Sequence, residues 1–161
     1  MRNRFSLLAL ALMTLFVAAC DTTSNRTIID TDVYVTEVDF NVASATLNGT
    51  VLSQQFAVPA IDNNAAAVLA YFYEQGTWTA MPYTYAVDDA QLQAVSYTIS
   101  LGHAFSHETF EAFYESSAAD VNLRQQPSRR IRVVVLGDYA AKQNVDFSDY
   151  NAVKAAFHLP D

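Results

Sequence analysis

IRVVVLGDY, residues 131–139, is the most β-branched run in the chain. Valine and isoleucine are stiff at χ1 and fit a pleated surface, so the run predicts a strand. Beyond it, Phe147, Tyr150, Val153, Phe157 and Leu159 recur at roughly helical spacing. That spacing predicts a helix over 147–159. Asp146 or Ser148 suits its cap, Asp149 suits its first turn, and Pro160 ends it.

Upstream of residue 131 the period is two. In 33–42, Tyr34, Val38, Phe40 and Val42 share one face, and Glu37, Asp39 and Asn41 share the other. Asn48-Gly49, inside 45–57, suits a type I′ hairpin turn. AVLAYFYE (67–74) is apolar on both faces and predicts a central strand, with Gln75-Gly76 as the turn after it. TWTAMPYTYAV (77–87) alternates, and Pro82 predicts an edge or a bulge. Asp88-Asp89 predict a polar turn. Residues 93–105 place Val95, Tyr97, Ile99, Leu101 and Phe105 on one face, and TFEAFYESS (109–117) alternates again. The expectation is a mainly β domain. It is an antiparallel β-sandwich of seven or eight strands, with a short C-terminal helix closing one end. A partly open β-barrel is the alternative.

The 161 residues are 52% hydrophobic and 16% charged, with 4 Gly, 4 Pro and 1 Cys. Disordered and collagen-like chains are excluded by that balance. A single cysteine excludes a disulfide framework and multi-cysteine zinc sites. A net charge of −8 argues against nucleic acid as a partner.

The N terminus reads as an address. Arg2 and Arg4 precede an apolar run from Phe5 to Ala19, broken only by Ser6 and Thr14. The run falls short of the ~18 residues that suggest a stable membrane span, and it reads as a secretory signal over 1–19. Val17-Ala18-Ala19-Cys20 resembles the bacterial lipobox. The resemblance implies cleavage before Cys20, diacylglycerol on its sulfur and a further acyl chain, such as palmitate, on the new terminus. Two or more chains suit stable anchoring. Asp21 resembles an inner-membrane retention signal of some Gram-negative bacteria, and periplasmic or surface-facing placement stays open. Residues 20–29 then read as the lipidated terminus and a polar tether, and 30–161 as one domain.

The lipobox, VYVTEVDF, WTAMPYTY and RVVVLGDYAAKQNVDFSDYNAVKAAF together resemble a family of small uncharacterised lipoproteins of the Bacteroidota-type cell envelope. The likeness spans about 33–158. Its most specific part is the valine-rich strand followed by a D-Y-N-A-V helix. Members often carry a collagen-like stalk, which this chain lacks. The resemblance implies location and fold, and no activity.

Arg124, Arg129, Arg130 and Arg132 form the one basic cluster and are candidates for holding a carboxylate, a phosphate or an acidic polysaccharide. Trp78, Tyr83 and Tyr85 are candidates for stacking on sugars or on a protein partner. His103, His107 and Glu111, spaced four and four, are the weak metal candidates. The acidic pairs Asp30/Asp32, Asp88/Asp89 and Asp146/Asp149 lack a calcium-loop pattern. No G-x-S-x-G elbow or Gly-rich phosphate loop occurs. The expectation is a non-enzymatic, membrane-anchored envelope protein without a cofactor, acting by binding or in assembly. A glycan-binding module and a hydrolase with an unrecognised site are the alternatives.

Overall fold

The computed structural model describes residues 27–30, 32–87 and 97–160. The signal segment, Cys20, most of the tether and the Asp88-Asp89 turn lie outside the described residues. The strands are β1 (Thr27–Asp30), β2 (Val33–Phe40), β3 (Thr46–Asn48), β4 (Val51–Ala57), β5 (Ala67–Glu74), β6 (Thr77–Ala80), β7 (Tyr83–Val87), β8 (Tyr97–Ser106), β9 (Thr109–Ser116) and β10 (Arg129–Leu136). Two short helices follow, α1 (Asp138–Ala141) and α2 (Tyr150–Phe157).

Two antiparallel sheets result, in the orders β1-β2-β10-β5-β6 and β3-β4-β9-β8-β7. The sandwich expectation holds, and the two sheets do not close into a barrel. The strands outnumber the seven or eight expected for two reasons. Thr27–Asp30, partly assigned to the tether, pairs with β2. The run 77–87 divides at the cis Met81–Pro82 bond, so β6 stays in the first sheet and β7 enters the second.

β10 occupies the middle of the first sheet. Val134 sits between Val35 of β2 and Leu69 of β5. On its inner face, Ile131, Val133 and Val135 join Phe40, Ala70 and Phe72 against Leu52, Ile99, Leu101, Phe110 and Tyr114 of the second sheet. On its outer face, Val134 and Leu136 join Val33, Val35 and Tyr71. Ala140, Tyr150, Val153 and Leu159 cover that face. The C-terminal segment therefore lies over a sheet face and does not close one end, as the sequence suggested. Burial on both sides explains why the run is continuously apolar through 133–136 rather than alternating.

Local signals act mostly where they were expected. Gln75 and Gly76 both have positive φ, 50° and 86°, as a type I′ hairpin requires. At the other hairpin only Gly49 is positive (59°), and Asn48 pairs with Val51. The turn residues there are Gly49 and Thr50, not the type I′ pair Asn48-Gly49. α2 starts later than expected. Asp149 is its cap, accepting the Asn151 N–H at 2.8 Å. Asp146 instead turns the preceding loop through the Ser148 N–H and hydroxyl.

Among the described residues, no element covers the outer face of the second sheet. There Phe113 lies across Gly102, its cross-strand partner. A Cβ at Gly102 would come within 2.6 Å of that ring. Gly102→Ala is expected to destabilise the domain by about 1–3 kcal/mol, because the ring must leave its seat. The Gly102→Ala, Phe113→Ala pair should be less than additive, read by urea unfolding.

Candidate functional site

The four arginines are neighbours in sequence but not in space. Strand alternation sends Arg130 and Arg132 to the outer face of the first sheet and Arg129 to the side facing the second sheet. Arg124 belongs to the short 3₁₀ turn Leu123–Gln125 before the strand. It donates to the carbonyls of Val42, Ala43 and Ala45 at 2.8, 3.3 and 3.2 Å, which fastens the β2–β3 loop.

The outer-face group centres on Arg132, which is 4% exposed. Its Nε donates to Glu37 Oε1 at 2.9 Å, and its Nη2 donates to the same oxygen. Nη1 donates to the Tyr150 hydroxyl and, at 2.9 Å, to the Pro160 carbonyl. The guanidinium also lies over the Trp78 ring, 4.4 Å from its centroid. Arg130 stacks beside it, 4.5 Å from the Tyr73 ring and 5.4 Å from Trp78. Trp78 is half-buried between Arg132, Tyr73 and Tyr150, with ring centroids 5.0 and 5.7 Å away. These residues form a cation–π stack that ties the C-terminal segment to the sheet. Tyr71 reinforces the tie by donating its hydroxyl to the Phe147 carbonyl at 2.7 Å. Burial, and then Tyr150 beside it, push the Tyr71 hydroxyl well above its ordinary pKa, so it remains a donor.

The second group lies at the rim between the sheets, beside the β5–β6 turn that follows Glu74. Arg129 Nη2 pairs with Glu74 Oε1 at 2.7 Å, and its Nε donates to the Tyr114 hydroxyl at 3.2 Å. That hydroxyl donates in turn to the Pro127 carbonyl at 3.0 Å. Burial opposes the Arg129 charge, but the contacts with Tyr114 and Glu74 outweigh it and raise the pKa. The guanidinium lies 5.2 Å from the Phe72 ring. Tyr83 reaches Phe72 from the second sheet at 5.5 Å and lies 6.0 Å from Tyr85. Tyr85 donates to Gln126 Oε1 at 2.5 Å, and burial, then Tyr114, raise its pKa. Tyr83 remains 42% exposed.

His103, His107 and Glu111 do not converge. No group of three or more metal-type ligands forms among the described residues. A spacing of four and four suits one face of a helix, and this segment is a hairpin. His103 pairs with Ala112 and stacks on Phe110, 5.7 Å away. Glu111 opposes Gln55 and Ala104 and, by alternation, sits on the other face. His107 is in the exposed turn, 3.8 Å from Glu108. A small open hollow of about 130 Å³ lies nearby, lined by Gln55, Ala104, Phe105, Ser106, Thr109 and Glu111.

Comparison with family models, curated proteins and solved structures finds no match for the chain. Among the described residues no helix is long and apolar enough to cross a membrane.

Sequence reasoning grouped Trp78, Tyr83 and Tyr85, and the structure separates them. It brings Tyr83 and Tyr85 to Arg129, and Trp78 to Arg130 and Arg132. Glu37, Glu74, Tyr114, Gln126 and Tyr150 were missed as their partners. Arg132 sits mid-strand between Ile131 and Val133, and that was the available signal for a buried partner across the sheet. Glu74, Tyr114 and Gln126 gave no comparable one.

Arg132→Ala leaves Glu37 without its main partner and Trp78 without its cover. The expected loss is about 2–4 kcal/mol, below the full cost for a buried pair because Glu37 is partly solvated. Arg132→Met should lose less by keeping the stem on Trp78, and urea unfolding separates the two.

His103 supplies a pH dependence. Among the described residues its Nδ1 is buried with no hydrogen-bond partner, and burial lowers the pKa from 6.5, a hydrogen bond of the ring to the Val68 backbone partly opposing. The unfolded chain therefore binds the proton more readily. Stability is full above the unfolded pKa and falls as pH drops through 6.5 toward the folded value. Unfolding free energies at pH 7.5 and pH 5.5 should converge in His103→Leu relative to the parent chain.

Proposed function

We propose that the chain is a non-enzymatic binding or assembly component of the cell envelope, held at a membrane by lipid on Cys20. The anchor reading is supported by the lipobox-like Val17-Ala18-Ala19-Cys20 and by the likeness to small envelope lipoproteins. The observation that carries the binding reading is the rim. Tyr83 stays exposed there beside the Arg129–Glu74 pair, on a strand at the edge of its sheet. The other aromatic and arginine candidates are engaged in holding the fold together.

A second reading, a glycan-binding module, is favoured by the same place. An exposed aromatic next to fixed hydrogen-bonding groups suits a sugar ring. Trp78 contributes less to it, because its ring is flanked by Arg132 and Tyr150. The hydrolase reading needs His103, His107 and carboxylates to converge, and their separation lends it no support.

Cys20→Ala tests the anchor. The parent chain is expected in the membrane fraction and labelled by palmitate. The variant should be unlabelled and released by washing without detergent. An unlabelled parent chain would remove the anchor from this reading. For the binding half, detergent-solubilised full chain is sedimented with isolated envelope. Pelleting that persists at high salt is expected, since the chain and anionic surfaces repel.

A further inference from the structure

We infer that the rim built by Tyr83, Tyr85, Glu74, Arg129 and Gln126 is a binding site for a neutral saccharide, one or two pyranose rings of a longer polymer. The inference rests on the binding reading above and narrows it to a ligand class and a place.

A saccharide needs an aromatic surface for its C–H face and planar polar groups for its hydroxyls. Tyr83 supplies the first. Its ring is backed by Phe72 and Tyr85, yet it remains 42% exposed. Arg129 and Tyr83 lie 5.2 and 5.5 Å from the same Phe72 ring, so the stack and the polar groups fit within the span of one or two sugars. Glu74 and Phe72 share one side of β5 by alternation.

Acceptors and donors remain for hydroxyls. Arg129 takes Oε1 of Glu74, whose side chain is 39% exposed and open to a hydroxyl. Tyr85 takes Oε1 of Gln126, which leaves the Gln126 amide N–H groups to donate. Each group is already fixed by a neighbour, so a ligand orders little on binding.

Charge selects a neutral ligand. The Arg129 guanidinium is matched by Glu74 at 2.7 Å, and the chain carries −8 overall. An acidic polysaccharide finds no unmatched cation at the rim, and a cationic one meets Arg129.

The test uses the full chain in detergent micelles. It is titrated calorimetrically with maltohexaose, cellohexaose, xylohexaose and chitohexaose, and with polygalacturonate as the charged comparator. At least one neutral oligosaccharide is expected to bind. Tyr83→Ala should weaken it about tenfold. Tyr83→Phe should retain most of the affinity, and Tyr139→Ala, at an exposed aromatic of α1 on the outer face of the first sheet, all of it. Melting curves confirm that each variant is folded, and Gln126→Ala, expected to weaken binding by removing the amide donors, carries the comparison if Tyr83→Ala is not. Sugar binding unchanged in folded Tyr83→Ala overturns the site and leaves the glycan reading standing. Binding of polygalacturonate alone overturns the neutral class. If no saccharide binds while the chain still sediments with envelope, the saccharide inference falls and the binding reading survives. If neither occurs, both fall.

Discussion

Strand β10 has to bury both of its faces, and the rest of the architecture answers that need. Ile131, Val133 and Val135 require a partner sheet, while Val134 and Leu136 require a second cover on the opposite side. Each such side chain is worth about 1.5–3 kcal/mol when fully buried. An antiparallel sandwich ordinarily leaves its outer faces to solvent, with polar residues there. This chain cannot do so on the first sheet. The segment from α1 to Pro160 folds back over it, and the molecule becomes helix on sheet on sheet.

That solution creates a polar problem and resolves it locally. Arg132 lies in the same strand, under the same cover, where an unpaired charge would be costly. Glu37 balances the charge from β2, while Tyr150 and Pro160 bring acceptors from the covering segment. A buried ion pair is weak evidence of net stability. Its directional hydrogen bonds can nevertheless fix where the C-terminal segment sits, which apolar contact alone specifies poorly. Asp32 adds a second fixed point, its carboxylate accepting the Ala140 N–H while its carbonyl accepts that of Gly137.

The strands and their parity were legible because alternation is local. Ile99 and Leu101 on one face of β8, or Gln75-Gly76 as a turn, need only their neighbours to be read. Contacts between distant segments were not legible in the same way. The helix was visible from its period, but its seat depended on β10 being apolar on both faces, and Val133–Leu136 carried that information. The arginine cluster misled for a related reason. Proximity along a strand alternates in space, so Arg129 and Arg130 point to opposite sides of the sheet. For His103 and Glu111, an even separation on one strand would have kept them together. The hairpin turn between them reverses the relation.

The use of charge inside the fold also shapes what the surface can do. All four arginines of 124–132 are engaged within the molecule, by carbonyls, carboxylates or rings. Their charges are already counted in the chain's −8, and the remaining surface is acidic. Such a surface is repelled by anionic bilayers and gains nothing from long-range attraction to them. For a chain held by lipid, as proposed, repulsion and tether would act together to keep the domain off the membrane. Recognition would then fall to short-range contacts that survive screening, such as stacking and hydrogen bonds. Of the candidate residues read from the sequence, Tyr83 is the aromatic left most open for that work, and it sits where the Arg129 charge is already matched.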